Sequence, residues 1–329
     1  MAPGGTIGQV DALLAGRRFP EAARLLLAAA GAGETEAIAE LAHWRIAGNL
    51  IRRDLAEARR LLGLAAARGN GPSALLHAAF LAGGVGGPDD WPAALARLRA
   101  LSGTEARAEA QLRLIEAMAL DETGFPARPI GLRRLSETPY AAAAQGFMTE
   151  AECDYLKALA EPNLEPSVVI DPVTRRTVPN PVRKSDGAMF GVYAEDLVVN
   201  ALNRRIAALS GTRLDQGEPL QLLRYRPGGE YKPHMDALPA EPNQRILTLL
   251  VYLSDDFEGG ETRFPHGGLS FRGRTGDALL FRNAGADGRP DPLALHAGLP
   301  VTRGIKYLAS RWIRADRFTY PPPRPLVDL

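Results

Sequence analysis

One short segment of the chain carries side chains with the types and spacing of metal ligands. The sequence Leu220–Asp236, LQLLRYRPGGEYKPHMD, ends in His234 and Asp236 with one residue between them. The apolar run before the turn at Pro227 predicts a strand, and Tyr231–Asp236 predicts a second strand after it. Side chains two apart on a strand share a face, so His234 and Asp236 can hold one metal ion together.

Two more residues, later in the sequence, can act together with this pair. A second histidine, His296, lies in the segment LALHAG, and Lys306 follows ten residues later in the strand-like stretch GIKYLASRWI. Two histidines and one carboxylate form the facial triad of non-haem iron(II) oxygenases, which leaves one face of the octahedron open. Zinc accepts the same ligand types. A zinc-bound hydrolase does not require a buried cation at Lys306, so the pattern favours iron.

Four motifs surround these residues: RYRPGGEYKPHMD, RILTLLVYLSDDFEGGETRFP, GDALLF and LHAGLPVTRGIKYLASRWI. Through them, the chain from about Tyr140 to Ile313 resembles the prolyl 4-hydroxylase family of 2-oxoglutarate and iron(II)-dependent dioxygenases. The resemblance implies three iron ligands, His234, Asp236 and His296. It also implies that Lys306 binds the far carboxylate of 2-oxoglutarate. A charge-assisted hydrogen bond of that kind contributes about 1.5–3 kcal/mol, so the lysine selects a dicarboxylate.

The same resemblance suggests further residues of the pocket. Three match positions that line the 2-oxoglutarate pocket in the family: Tyr225, Thr248 and Tyr252. Each of the two tyrosines suits core filling equally well. Four are candidates for substrate contact: Trp312, Arg314, Tyr231 and Arg183. Strand alternation gives Lys306, Trp312 and Arg314 one common face. Trp312 should therefore lie near the mouth, with a plain core role as the alternative.

A long polar segment precedes the metal-ligand motif. Residues 167–193 contain RKSDGAMF, which resembles the R-x-S-x-G-x-F segment of prolyl hydroxylases, where the preceding loop closes over the peptide. Long loops beside a catalytic core often carry function. The hypothesis is a lid with four basic residues, Arg175, Arg176, Arg183 and Lys184. A solvated basic loop is the alternative.

The reaction implied by the resemblance is oxidative decarboxylation of 2-oxoglutarate coupled to hydroxylation of an unactivated carbon, with release of succinate and CO₂. The expected substrate is a prolyl residue of a peptide or protein, hydroxylated at carbon 4, while free proline, another amino acid or a lysyl residue stay open. The predicted cofactors are Fe(II), 2-oxoglutarate and O₂, with ascorbate as a candidate addition. The alternative from another class is a non-catalytic iron-binding scaffold or sensor. The four intact residues of the site, His234, Asp236, His296 and Lys306, favour the enzyme.

Composition limits the partners and the compartment. The chain has 329 residues, 46% of them hydrophobic, which suffices for about two domains. Its net charge of +1 argues against a nucleic-acid partner held by electrostatics. The single cysteine, Cys153, cannot form an internal disulfide. With no apolar run long enough to span a membrane, the expectation is a cytoplasmic protein with no membrane partner.

The N-terminal third is rich in Ala, Leu and Arg and repeats itself. FPEAARLLLAAA from Phe19 recurs from Leu55, an offset of thirty-six, and the segment around His43 recurs around His77, an offset of thirty-four. Such a period predicts a helical solenoid. The pattern resembles SEL-like repeats, a short tetratricopeptide-like class, through A-x-x-x-L, A-G-G-V and D-x-x-A-A. Its role is either to offer a concave surface to a protein partner or a peptide, or to act as a packing or dimerisation module.

The predicted fold class is therefore an α+β multidomain protein. An N-terminal α-helical repeat solenoid occupies 1–125, a linker 126–139, and a dioxygenase domain 140–329. The resemblance gives the dioxygenase domain the double-stranded β-helix, or jelly-roll, fold with supporting helices.

Overall fold

A computed structural model of the chain describes residues 5–170, 176–285, 287–319 and 323–327. These residues group into two compact units. One comprises 5–124, 195–201, 319 and 323–327, and the other comprises 125–170, 176–194, 202–285 and 287–318. Among the described residues, the model contains no helix with the length and apolar character needed to cross a bilayer.

The first unit is built of stacked helices. In the described residues before position 125 they are α1 (Thr6–Ala15), α2 (Phe19–Gly31), α3 (Thr35–Ala47), α4 (Leu55–Ala67), α5 (Gly71–Gly83), α6 (Trp91–Leu101) and α7 (Ala106–Ala117). Each helix packs against the next in sequence. Gly48 and Gly84 follow α3 and α5 with φ of +74° and +65°, the left-handed conformation that ends a helix. The predicted helical stack is confirmed, and its assignment to the SEL-like class stays a prediction.

Two longer helices accompany the strands. Helix α8 (Glu150–Ala160) begins after the N-cap Thr149, whose side chain forms a capping box with Glu152. Helix α9 (Leu197–Ser210) ends before Gly211, where φ is +66°. The Glu152 carboxylate pairs with the Arg205 guanidinium at 2.7 Å. Cys153 is buried in α8, and burial raises the pKa of its thiol to about 12, as a core cysteine should show.

The strands of the described chain all lie in the second unit. In chain order they are β1 (Arg133–Glu137), β2 (Tyr140–Ala144), β3 (Glu165–Pro166), β4 (Val168–Ile170), β5 (Thr177–Pro179), β6 (Arg183–Lys184), β7 (Asp186–Met189), β8 (Gln221–Tyr225), β9 (Glu230–His234), β10 (Arg245–Tyr252), β11 (Glu258–Gly259), β12 (Thr262–Phe264), β13 (Leu269–Phe271), β14 (Ala278–Arg282), β15 (His296–Gly298), β16 (Val301–Arg303) and β17 (Lys306–Arg314). Strand β1 falls inside the range predicted as a linker, because its backbone pairs with β2.

Two antiparallel sheets carry the core. The larger has the order β1-β2-β14-β10-β17-β8-β7-β3, and the smaller has the order β13-β12-β15-β9-β6. From β8 onward the chain alternates between them: β8, β10, β14 and β17 belong to the larger sheet, and β9, β12, β13 and β15 to the smaller. This alternation is the double-stranded β-helix, so the predicted fold class is confirmed.

Buried side chains from both sheets meet between them. Leu250 of β10, Phe281 of β14 and Leu308 of β17 come from the larger sheet, and Phe264 of β12 comes from the smaller. Rings pack edge to face, as between Phe264 and Phe281 with centroids 5.1 Å apart. This apolar layer fills one part of the space between the sheets and leaves the polar residues of the site at one end of it.

Candidate metal centre and cosubstrate pocket

Three side chains converge where β9 and β15 lie side by side. His234 ends β9 and His296 begins β15, and the two are direct cross-strand partners. Asp236 follows two residues after β9, beyond the strand that the sequence predicted to include it. Its carboxylate oxygens lie 3.6 Å from Nε2 of His234 and 3.7 Å from Nε2 of His296. Strand pairing thus joins ligands that are about sixty residues apart in the sequence.

Backbone carbonyls orient both imidazoles. Nδ1 of His234 donates to the carbonyl of Lys232 at 2.8 Å, and Nδ1 of His296 donates to the carbonyl of Ala294 at 3.0 Å. Each ring therefore carries its proton on Nδ1 and presents the Nε2 lone pair to the centre. Burial lowers the pKa of His296, which keeps this ring neutral at physiological pH and able to bind a metal.

A buried hydrogen-bond chain holds the carboxylate. Thr248 of β10 donates its hydroxyl hydrogen to Oδ2 of Asp236 at 2.7 Å, and Nδ2 of Asn283 donates to the Thr248 hydroxyl at 2.8 Å. Burial opposes ionisation of Asp236, but the nearby His296 and His234 and the Thr248 hydroxyl hold the pKa of the carboxyl below its usual value. The donor set of two neutral nitrogens and one carboxylate fits Fe(II), which accepts these ligands and leaves sites open.

A single buried ammonium lies in the same cavity. Lys306 begins β17 directly opposite Tyr225 of β8, and its side chain is 2% exposed. Nζ donates to the carbonyl of Gly260 at 2.7 Å, which leaves two of its three hydrogens unused by that bond. Burial lowers the pKa of Lys306 to about 7, and Glu261 opposes the shift only in part. A carboxylate bound here would restore the charged form.

The walls around Lys306 are aromatic. Its Nζ lies 4.9 Å from the ring centroid of Tyr252 and 5.5 Å from that of Tyr225. The Tyr252 hydroxyl bonds with Thr262 Oγ1 at 2.9 Å and donates to the Phe271 carbonyl at 3.0 Å. Tyr252 therefore supports Lys306 from behind, whereas Tyr225 and Thr262 face the cavity. Thr262 was not predicted, although it lies in the motif GGETRFP.

The cavity brings together eight of the predicted residues. Its lining consists of Arg183, Leu223, Tyr225, Tyr231, His234, Asp236, Leu250, Thr262, His296, Gly298, Lys306, Leu308, Ser310 and Trp312. Lys306, Leu308, Ser310 and Trp312 share one face of β17, as strand alternation predicted. Thr248 and Tyr252 stand behind this lining and hold Asp236 and Lys306.

Arg314 is placed outside the cavity lining, where it does not contact the site. Its Nε donates to the Glu218 carboxylate at 2.6 Å and Nη1 donates to the Asn243 carbonyl at 2.8 Å. A buried guanidinium requires an anion, and Glu218 supplies it. Strand β10 also has a bulge between Arg245 and Leu247 at this end of the sheet, which interrupts the regular register.

An arginine packs against the indole ring of Trp312. The Arg245 guanidinium lies 3.6 Å from the centroid of the Trp312 ring and forms two hydrogen bonds, of 2.6 and 2.9 Å, with Glu218. Nε1 of Trp312 is buried and has no hydrogen-bond partner within the described structure. Sequence alone could not reveal Arg245 and Glu218, because their contact with Trp312 depends on the pairing of β10 with β17.

Elsewhere in the lining, the Tyr231 ring stacks on the His234 imidazole with centroids 3.4 Å apart. The Arg183 guanidinium lies over Tyr231 at 5.5 Å, and its Nε donates to the Ser167 hydroxyl at 3.1 Å. Tyr231 and Arg183 thus both line the cavity, and both are half-buried. Of the other residues predicted for a lid, Lys184 is in β6 and Arg176 precedes β5, while Arg175 is outside the described residues.

Comparison with known proteins identifies the family. Residues 220–314 match the family model of the 2OG-Fe(II) oxygenase superfamily. Prolyl 4-hydroxylase 1 of Arabidopsis thaliana is 38% identical over 200 residues, which cover 55% of this chain and 70% of the relative. Prolyl 4-hydroxylase 5 of the same plant is 35% identical over 231 residues, 63% of this chain and 78% of the relative.

Among solved structures, the viral collagen prolyl hydroxylase of Paramecium Bursaria Chlorella virus-1, in a 2OG complex, is 28% identical. The match covers 55% of this chain and 98% of that one, with a TM-score of 0.45. The family assignment rests on the two plant relatives, because this score is too low to add weight. By its sequence relatives and its His-Asp-His cluster, the chain belongs to the prolyl 4-hydroxylase family of 2-oxoglutarate and Fe(II)-dependent oxygenases.

Proposed function

We propose that the protein hydroxylates carbon 4 of a prolyl residue in a peptide or protein. The reaction consumes 2-oxoglutarate and O₂. One oxygen atom enters the new carboxylate of succinate, the other becomes the hydroxyl group, and CO₂ is released. The observation that carries the proposal is the presence of His234, Asp236, His296 and Lys306 around one cavity.

His234, Asp236 and His296 would hold the metal. Fe(II), when bound there, supplies the activation of O₂ and the chelation of the keto acid. The protein contributes the orientation of its ligands: carbonyl oxygens fix both imidazoles, and Thr248 fixes the carboxylate. Because these partners are already in place, the ligands need little rearrangement.

Lys306 and Tyr225 would bind the far carboxylate of 2-oxoglutarate. The two lie opposite each other on β17 and β8, and Thr262 adds a hydroxyl to the same cavity. A protonated lysine in an apolar, desolvated pocket gains most from a carboxylate partner, so this end discriminates against monocarboxylic keto acids.

Trp312, Tyr231 and Arg183 would contact the peptide, since all three line the cavity and are only half-buried. Their flat, partly apolar surfaces suit a pyrrolidine ring and its flanking backbone. Arg314 is left out of this set, because its guanidinium is bound by Glu218. For the stacked helices we propose a role in binding a protein partner, with a packing role as the alternative. The cytoplasmic location and the use of ascorbate stay predictions.

The test is succinate formation by protein reconstituted anaerobically with Fe(II) and then exposed to O₂ and 2-oxoglutarate, with and without a pool of proline-containing peptides. We expect succinate to increase with peptide, and mass spectrometry to find one added oxygen atom on a prolyl residue. Hydroxylation of free proline without turnover of any peptide would instead support an amino-acid oxygenase. Bound iron without succinate under any condition would support the scaffold.

A further inference from the structure

A second cavity adjoins the catalytic one and is rich in basic side chains. Its volume is about 240 Å³, near the lower end of ligand pockets, about 300 Å³. Four cations line it, Arg183, Lys184, Arg224 and Arg226, together with one carboxylate, Asp186. Arg183 lines both cavities, so it forms part of the wall between them. The two cavities are therefore adjacent, so groups bound in them would lie close together.

The charged side chains of this basic cavity differ in how well they are paired with opposite charges. Oδ2 of Asp186 accepts two hydrogen bonds from Arg224, at 3.0 and 2.8 Å, and Arg224 also pairs with Glu161. Asp186 and Arg224 thus neutralise each other. Arg226 approaches Asp186 only at 3.5 Å, and its side chain is 59% exposed. Lys184 pairs with Glu230 through the backbone of β6 and β9, but its ammonium group has no hydrogen bond or ion pair to any described residue, and Glu230 does not line the cavity.

A rigid turn presents the Arg226 side chain. The amide of Gly229 donates to the Arg226 carbonyl at 2.7 Å, and Gly228 adopts φ of +78° after Pro227, which suits a tight turn. A Cβ on Gly229 would lie 2.8 Å from the Arg226 carbonyl oxygen and 3.0 Å from that of Lys184. Glycine therefore lets the turn pack closely against β6, which brings Arg226 and Lys184 to one side of the cavity.

We propose that the basic cavity binds an acidic side chain of the peptide substrate, near the prolyl residue held in the catalytic cavity. The inference rests on the proposed function and adds a sequence preference to it. Arg226 and Lys184 provide a concentration of positive charge in a chain whose net charge is only +1. Because an extended chain advances about 3.3–3.6 Å per residue, the aspartate or glutamate is expected within about three residues of the proline.

The test uses a fluorescent nine-residue host peptide with one central proline among alanines and serines. Glu, Gln or Lys is placed in turn at each of the three positions before and after the proline. Binding to the Fe(II)- and 2-oxoglutarate-loaded protein is measured anaerobically by fluorescence anisotropy. At one or two positions on one side of the proline, we expect Glu to bind about 5–10-fold more tightly than Gln, and Lys more weakly than Gln. This preference should decrease in 0.5 M salt (Debye length about 4 Å).

Substitutions in the protein test whether Lys184 and Arg226 cause the preference for Glu peptides. In Lys184→Gln, Arg226→Gln and the double variant, the Glu-to-Gln affinity ratio should fall stepwise toward one. Arg289→Gln removes a guanidinium whose side chain is 88% exposed and lies outside the cavity lining, and it should keep the wild-type ratio. Equal binding of Glu and Gln peptides at every position, or a Glu preference that survives the double variant, would overturn the proposal. Tight binding of Glu peptides that are never hydroxylated would instead overturn the proposed function alone.

Discussion

The two neighbouring cavities differ in how far their ionisable side chains are buried and hydrogen-bonded. In the catalytic cavity the side chains of His234, Asp236 and His296 are at most 12% exposed, and each has a fixed hydrogen-bond partner. In the basic cavity the Arg226 side chain is 59% exposed, and the Lys184 ammonium has no hydrogen bond or ion pair to a described residue. Buried charges require exact partners because desolvation is costly, whereas exposed charges can meet different partners at little cost. The catalytic cavity is therefore built for one chemistry, and the basic cavity for recognition.

The metal ligands should show the largest effect. His234→Ala removes one of three ligands, so we expect iron affinity and succinate formation to fall by at least about 10³-fold. His266→Ala is the matched control, since His266 is an exposed turn histidine and should leave both quantities unchanged. Iron content by mass spectrometry of the purified protein separates loss of metal from loss of turnover. Full turnover by His234→Ala would disprove the assignment of the metal centre.

Lys306 is the buried cation of the catalytic cavity. Replacing it should weaken cosubstrate binding but stabilise the fold. Lys306→Met is expected to raise the KM for 2-oxoglutarate by about 10- to 100-fold, because the charge-assisted bond is lost. The same change should raise the Tm of the cosubstrate-free protein by about 2 °C or more, since a desolvated charge is removed.

The pH dependence of that gain follows from the pKa. The folded pKa of Lys306 is about 7, below the ordinary value of 10.5. The native state thus binds fewer protons than the unfolded state between these values, and the unfolding free energy of the wild type increases with pH across that window. The advantage of Lys306→Met should be largest at pH 7 and below, and should shrink toward pH 10.5. The exposed control Lys232→Met should show no such gain.

Cosubstrate affinity should depend on the same proton. 2-Oxoglutarate binds the protonated Lys306, so affinity should be constant below about pH 7 and fall by up to about tenfold per unit above it. Calorimetry in two buffers of different ionisation enthalpy should detect uptake of a proton at pH 8. Lys306→Arg keeps its charge and should remove this dependence. A flat wild-type affinity from pH 7 to 9 would contradict the desolvation of Lys306.

How much of this site could be read from the sequence depends on the range of each interaction. The capping box of Thr149 and the pairing of His234 with Asp236 are local, so residue spacing reveals them. The inward face of β17 follows from strand alternation and holds from Lys306 to Trp312. Arg314 departs from that prediction, because it lies opposite the β10 bulge and is bound by the distant Glu218.

The residues that hold the metal ligands in place could not be predicted from local sequence patterns. Thr248 reaches Asp236 only because β10 of the larger sheet faces the end of β9 in the smaller one. The basic cavity likewise combines residues of β6, which pairs with β9, with residues of β7 and β8, which pair with each other. The sequence predicts a lid for its Arg183 and Lys184, with a solvated basic loop as the alternative. Register fixes which polar residues meet, and register is not encoded in any single segment.

Thr248 tests how strongly the hydrogen-bond partners hold the metal centre. Thr248→Val keeps the shape and removes the donor to Asp236, so iron affinity should fall by about tenfold, within the 10- to 100-fold range typical of such supports. Thr248→Ser keeps the hydroxyl and should largely restore affinity. Equal loss in both variants would indicate that packing of the methyl group, rather than the hydrogen bond, is what matters.

The smallest effect on activity is expected for Arg245, which packs against the proposed peptide-contacting residue Trp312. Arg245 stacks on Trp312 and is held by Glu218, so Arg245→Met should let the indole move and raise the peptide KM about threefold with kcat little changed. Arg245→Lys retains the charge and should recover part of this loss. Arg282→Met removes a guanidinium that lies 5.1 Å from the ring centroid of Tyr140, outside the cavity lining, and should leave the KM unchanged. If Arg245→Met lowers kcat and iron content instead, Arg245 stabilises the sheet rather than positioning Trp312, and the mouth of the catalytic cavity is held by strand pairing alone.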